Sequence, residues 1–206
     1  MRVISGEAKG VRLSALSSKR TRPILNRIKE SLFNILGDSV VDSNVLDLFA
    51  GTGSLGIEAL SRGAKMCLFV DNDFSSVQVI KKNLRDTKFS KRSVILRKDV
   101  FALFTFLTNK HMNFDIILVA PPYKLMDLDC KDRERMFSLL EKYAHRKIVN
   151  KKGIIVLQHH KKQMVSQEIF KQLKVTDQRC YGNTQLTFLR INLVQNNKEK
   201  ESFESR

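Results

Sequence analysis

Cysteine is scarce in this 206-residue chain, and so are acids relative to bases. The three cysteines (Cys67, Cys130, Cys180) are odd in number and far apart. That excludes a complete disulfide frame and the paired spacing of a zinc site, so no metal is expected. No apolar run approaches the roughly 20 residues that span a bilayer. The opening Met1-Arg-Val-Ile-Ser-Gly-Glu has no signal-peptide core, and a cytoplasmic location is expected. No basic amphipathic helix with bulky aromatics stands out, which argues against a membrane surface as partner. No internal repeat is present. What remains is 42% hydrophobic and 28% charged, with a net charge of +16. The chain therefore reads as one globular domain with a small appendage, and its charge calls for an anionic partner, nucleic acid before all others.

The bases are unevenly spread. Residues 1–29 hold Arg2, Lys9, Arg12, Lys19, Arg20, Arg22, Arg27 and Lys29 against the single acid Glu7. Val3-Ile-Ser and Val11-Arg-Leu flank Gly6 to Gly10, as in a small hairpin. Arg22-Pro23 ends the extended part, because a residue before proline avoids the helical region. Ile24, Ile28, Leu32, Ile35 and Leu36 then recur at helical spacing, predicting a helix over 24–37 stopped by Gly37. From Asn44 the pattern alternates. Strands are predicted at 44–49, 67–71, 93–97, 114–119 and 153–158, with helices at 54–62, 74–86, about 100–109 and 133–147. Continuous apolar strands separated by helices imply a mostly parallel α/β sheet covered on both faces. Lys174 to Tyr181 and Gln185 to Leu193 flank Gly182-Asn183 and predict an antiparallel C-terminal hairpin. The expected division is 1–37 as a basic extension, 38–194 as the main domain and 195–206 as a polar, disordered tail.

The first chemical motif is Asp47-Leu-Phe-Ala-Gly51-Thr-Gly53-Ser-Leu-Gly56, with Asp71 twenty residues after Gly51. A buried strand must turn sharply here and admit a ligand to its backbone, which glycine permits. Ser54 is placed to cap the next helix, and Gly56 to let that helix pack close to the strand. The spacing Gly51, Gly53, Gly56 matches a nucleotide-cofactor fingerprint, and a carboxylate at Asp71 suits a ribose diol. Both NAD and S-adenosylmethionine carry that adenosine. Asp47 favours the second, because an anion ahead of the glycines would repel a pyrophosphate and attract a cationic amino-acid end. The alternative for Asp47 is a carboxylate that only receives loop N–H groups. Asp99 and Val100 end the third strand. Asp99 is placed to accept from an adenine amine or, equally, to cap the following helix.

The second motif is Ala120-Pro121-Pro122-Tyr123, after the fourth strand. Two prolines stiffen the backbone and leave carbonyl acceptors without N–H donors. Tyr123 offers a flat face for a base. The pair of motifs points to methyl transfer onto a base nitrogen. The alternative is a stiff turn with a surface tyrosine.

These residues resemble the RsmD family, bacterial methyltransferases that modify the exocyclic N2 of one guanine in small-subunit (16S) ribosomal RNA. The resemblance covers nearly the whole chain. It runs through Arg2-Val-Ile-Ser-Gly-Glu-Ala-Lys-Gly10, Thr21-Arg22-Pro23, Arg27-Ile-Lys-Glu30-Ser-Leu-Phe33-Asn-Ile-Leu36, Leu46 to Ala64 and Tyr181-Gly-Asn-Thr184. It implies a class I methyltransferase (Rossmann-like) fold, a seven-stranded sheet with one antiparallel strand, and S-adenosylmethionine as donor. The expected cofactor residues are Asp47, Ala50, Gly51, Gly53, Asp71, Asn72, Asp99 and Val100. The expected catalytic loop is Ala120, Pro121, Pro122 and Tyr123. Arg2, Lys9, Arg12, Lys19, Arg20 and Arg22 are expected to grip RNA phosphates, Arg22 also being placed to reach the cofactor carboxylate. The partner is small-subunit rRNA or the assembled 30S particle, met by a monomer. One residue departs from the family: the position before the two prolines is usually Asp or Asn, and here it is Ala120. Asp127 and Asp129 follow closely enough to fold back as substitutes. The departure keeps alive a weakened or inactive RNA-binding or assembly protein on the same fold. An NAD-dependent oxidoreductase rests on the glycine spacing alone, and a DNA-adenine methyltransferase would need a DNA-reading domain for which the chain has no room.

Overall fold

The computed structural model describes residues 1–16 and 26–193. Its centre is a seven-stranded sheet: β1 (Asn44–Leu48), β2 (Met66–Asp71), β3 (Ser93–Arg97), β4 (Phe114–Val119), β5 (Val149–His160), β6 (Leu173–Tyr181) and β7 (Thr184–Ile191). The strand order is β3-β2-β1-β4-β5-β7-β6. β1 to β5 pair in parallel, while β7 runs antiparallel to both β5 and β6. The mostly parallel sheet and its C-terminal antiparallel hairpin match the expected fold class.

Among the described residues five α-helices cover the sheet: α1 (Asn26–Leu36), α2 (Ser54–Ser61), α3 (Phe74–Asp86), α4 (Leu103–Asn109) and α5 (Lys131–His145). Alternate strand residues face opposite sides. Val45, Ile116, Leu118, Ile154 and Val156 join Leu32, Phe33, Ile57, Leu60, Ile80 and Leu84, from α1 to α3, in one core. Leu46, Leu48, Ile117, Val119, Ile155 and Leu157 join Leu103, Leu107, Leu140 and Tyr143, from α4 and α5, in the other. Among the described residues, no helix is long and apolar enough to cross a membrane.

Two starts differ most from their predicted places, those of β5 and α4. β5 begins at Val149, since Val149 pairs with Phe114 and Asn150 donates to the Asp115 carboxylate at 2.6 Å. Asn150, Lys151 and Lys152 interrupt the apolar run and hid that start. A 3-10 turn at Val100–Ala102 precedes α4. The predicted start of α1 at 24 and the tail at 195–206 lie outside the described residues.

The N-terminal hairpin forms, with Val3 N–H donating to Val11 O and Leu13 N–H to Met1 O. It is welded to α2. Glu58, fully buried, accepts from the N–H groups of Ile4 (2.9 Å) and Ser5 (3.0 Å). Ser61 accepts at its carbonyl from Glu7 N–H and at its hydroxyl from Ala8 N–H. Gly6 must be glycine at this seam: its φ is +83°, and a Cβ would lie 1.8 Å from Ser61 O. α1 joins through Lys29, whose ammonium lies 3.1 Å from Glu58 and donates to Arg2 O at 2.8 Å. Burial pulls the Lys29 pKa down and Glu58 opposes it. Lys29 is thus an internal tie, not part of the basic surface. Arg62 is the second cation on Glu58, at 2.9 Å.

Removing one member of a buried ion pair strands the other. Lys29→Met is expected to cost roughly 2–4 kcal/mol, slightly under the usual penalty because Arg62 still neutralises Glu58. Urea denaturation measures it, and a loss below about 0.5 kcal/mol, the range of ordinary surface substitutions, would remove the pair from the core account.

Candidate active site

In a parallel sheet, ligands bind beyond the carboxyl ends of strands where the strand order reverses. Here that point lies between β1 and β4, paired with Leu48 opposite Val119. Both chemical motifs leave the sheet there. Ala120 N–H donates to Leu48 O at 3.3 Å, so the second loop starts against the base of the first.

The glycine loop is tightly wound. Phe49, Gly51 and Gly53 have φ values of +57°, +57° and +74°. For Phe49 the left-handed conformation costs roughly 1–2 kcal/mol, strain of the kind that collects at ligand sites. A Cβ on Gly51 would meet only Phe49 O at 3.9 Å, so this glycine borders open space. Gly56 serves packing as expected: a Cβ there would lie 2.4 Å from the Phe69 ring and 2.6 Å from Cys67 Sγ. Ser54 does not cap α2. Gly53 occupies the cap position in a left-handed conformation, without a side-chain bond.

The N–H that a helix start would offer to a ligand is taken from inside. Asp47, 1% exposed, accepts from Gly56 N–H at 2.9 Å. Burial pushes its pKa up to about 8; the Gly56 bond opposes this and the Asp71 charge adds to it. Asp71 is half-buried at the end of β2. Its two oxygens accept from Gly51 N–H (2.7 Å) and Asp73 N–H (3.0 Å), and a carboxylate has further lone pairs for a diol. Ala50 is half-buried beside the loop glycines, and Asn72 is exposed next to Asp71. Asp99 fills the capping role: Oδ1 accepts from Phe101 N–H at the start of the 3-10 turn, and Val100 is buried in the core.

The second loop is clamped from β5 and β7. Tyr123 Oη lies 2.9 Å from Thr184 Oγ1, and its ring meets His160 edge to face. Gln163, buried, donates through Nε2 to Tyr123 O at 2.6 Å and to Asp127 Oδ1 at 2.7 Å, and accepts from His160 N–H at 2.8 Å. Pro122 O accepts from Leu125 N–H. Among the described residues the Ala120 and Pro121 carbonyls receive no hydrogen bond, so they are the backbone acceptors left for an amine. Asp127 is engaged by Gln163 and Asp129 is exposed. Arg2, Lys9 and Arg12 are exposed on the hairpin, whereas Lys19, Arg20 and Arg22 lie outside the described residues.

A family model described as "Conserved hypothetical protein 95" matches residues 1–190. YlbH of Bacillus subtilis, named for a proposed rRNA methyltransferase activity, is 36% identical over 184 residues, 89% of this chain and 95% of that one. The chain belongs to the RsmD family. A family member from Buchnera aphidicola, named ribosomal RNA small subunit methyltransferase D, is 30% identical over 184 residues, 87% of this chain and 90% of its own. The solved structure of Escherichia coli yhhF, titled as a methyltransferase by proposal, superposes with a TM-score of 0.75 at 25% identity, covering 93% of this chain and 98% of that one.

Sequence reasoning about this RsmD-family chain missed several residues that shape the site. Glu58 carried a readable signal: a lone acid between Ile57 and Ala59-Leu60 in an apolar helix. Asn83, fully buried, receives Ser14 N–H and donates to Ser14 O and Thr52 O, stitching the arm to the glycine loop. Gln163 and Thr184 gave no pattern, because they meet Tyr123 only through the folded sheet.

Asp47 yields a prediction with a defined sign. Its pKa is raised from 3.8 to about 8, so the native state holds a proton that the unfolded chain releases. Stability is therefore lost as pH rises through that window. Asp47→Asn keeps an acceptor for Gly56 without the titration. The variant's stability advantage should grow by up to about 1.4 kcal/mol per pH unit between roughly pH 5 and 8. Denaturant midpoints for both proteins across that range measure it; a constant difference would mean that Asp47 is ionised throughout.

Proposed function

We propose that this protein transfers a methyl group from S-adenosylmethionine to the exocyclic N2 of a guanine in small-subunit rRNA. The observation that carries the reading is the meeting of the two loops at the switch point, with Ala120 bonded to Leu48. The loop residues fit S-adenosylmethionine: Gly51 borders open space, Asp71 keeps lone pairs for a ribose diol, and Asp47 offers an acceptor whose ionised form a bound cationic end would favour. A dinucleotide fits poorly, because Asp47 already occupies the Gly56 N–H where a pyrophosphate would dock. When bound, the cofactor supplies a methyl carried on a sulfonium. The chain's part is to hold two reactants in line, where most of the acceleration of such a transfer originates. Asp47, Ala50, Gly51, Gly53, Asp71 and Asn72 hold the donor; Asp99, already a turn cap, contributes at the adenine edge. Pro121 offers its carbonyl to the amine and Tyr123 its ring to the base, which leaves its stack to reach the loop.

The exposed Arg2, Lys9 and Arg12 belong to an RNA-binding extension over 1–37, attached to a methyltransferase domain over 38–194. They grip phosphates and carry no sequence information themselves. The substrate is small-subunit rRNA, free or in the 30S particle, bound by a monomer in the cytoplasm. Ala120 favours a second reading, an RNA-binding protein that holds cofactor without transferring methyl.

Labelled S-adenosylmethionine and 30S subunits lacking the mark separate the two. Label transfer is expected; cofactor binding without transfer selects the second reading, and absence of binding rejects both. Asp71→Ala should weaken cofactor binding by about 1–3 kcal/mol in calorimetry, and an unchanged affinity would remove Asp71 from the site. RNA affinity should fall steeply with salt, and neutralising Arg2, Lys9 and Arg12 together should flatten the slope while leaving cofactor affinity alone. A slope equal to wild type would take the hairpin off the RNA surface.

A further inference from the structure

The departure at position 120 leaves the target amine short of one side-chain acceptor, and β5 carries a spare one. Among the described residues, four buried side-chain polar atoms lack a hydrogen-bond partner. Arg133 Nε and Tyr143 Oη lie on α5, and Gln172 Oε1 lies just before β6. The fourth, Gln158 Oε1, belongs to β5, the strand next to β4. β4 and β5 run parallel with Val119 opposite Leu157. Ala120, the residue that follows β4, and Gln158 of β5 come next. They also share a face: Ala120 packs on the core that holds Ile116 and Leu118 of β4 and Ile154 and Val156 of β5, and Gln158 continues that alternation on β5. Buried acceptors without partners are rare in folded proteins, and each calls for a reason.

We propose that Gln158 Oε1 takes over the acceptor role of the missing residue-120 side chain, receiving one N–H of the target amine while the Pro121 carbonyl receives the other. This rests on the methyltransferase reading above. With both N–H groups held, the nitrogen lone pair is aimed at the methyl. The lone pair forms the new N–C bond, the C–S pair returns to sulfur, and the surplus proton on nitrogen departs to water. An amide oxygen is too weak a base to take that proton, so Gln158 orients the amine and nothing more.

The test compares wild type, Gln158→Leu, Gln158→Glu and the double variant Gln158→Leu with Ala120→Asp. Each is assayed for single-turnover methyl transfer to unmethylated 30S subunits, S-adenosylhomocysteine affinity and thermal midpoint. Gln158→Leu should lower the transfer rate roughly 10²–10³-fold, the usual effect of deleting one positioned polar group. Its cofactor affinity should be unchanged and its midpoint equal or higher, because an unpaired acceptor has been removed. Gln158→Glu should keep most of the rate, and Ala120→Asp should restore activity to Gln158→Leu. An active wild type with an equally active Gln158→Leu overturns this proposal alone, as does a Gln158→Leu defect that Ala120→Asp fails to rescue. A wild type that binds cofactor but transfers no methyl overturns both this proposal and the reading beneath it.

Discussion

Glu58 is the constraint on which the arrangement depends. Its carboxylate is buried one turn into the helix that follows the glycine loop, and it binds two backbone N–H groups of the N-terminal hairpin, Lys29 of α1 and Arg62. A buried charge must be paired and hydrogen-bonded or it destabilises the fold. Satisfying it forces hairpin, α1 and α2 into one relation. Asn83 adds a second stitch, from Ser14 of the arm to Thr52 of the loop. The basic hairpin and the glycine loop therefore form one mechanical unit, so Arg2 and Arg12 stand in a fixed relation to the switch point.

The same economy governs the other side. Tyr123 is held through Thr184, His160 and Gln163, while Tyr181, at the far side of the same turn, bonds Ser31 of α1. The β6–β7 turn thus touches both the target loop and the helix that carries Lys29. Strain at Phe49 and the raised pKa of Asp47 sit at the centre of this frame, and the packing around them sustains both.

Much of this was legible in the sequence, for definable reasons. Local rules act over a few residues: glycine at Gly51, Gly53 and Gly56, proline at Pro121 and Pro122, and continuous apolar strands all announce their geometry. The hairpin flanking Gly182 announced its turn as well. What stayed hidden depends on distant partners. Lys29 counted as one more base of the arm until Glu58 was seen to receive it. Asp99 offered two roles with the same local signature, and the Phe101 N–H fills the capping one while engaging a single carboxylate oxygen. Ser54 looked like a cap because its type fits, yet the left-handed Gly53 took that position. Asn150 to Lys152 masked the start of β5 because polar residues at a strand's outer end mimic a loop. Gln158 and Gln163 are polar residues in ordinary surroundings along the chain, and their meaning appears only across strands.

The central claim is that the two loops at the β1–β4 switch point hold a donor methyl against an exocyclic amine of guanine despite Ala120. The most direct measurement is the identity of the product nucleoside. Unmethylated 30S subunits, incubated with the protein and isotopically labelled S-adenosylmethionine, are digested to nucleosides and resolved by mass spectrometry. The account predicts the label in N2-methylguanosine and in no other nucleoside. Label on a ring nitrogen, on adenine or on ribose would contradict it.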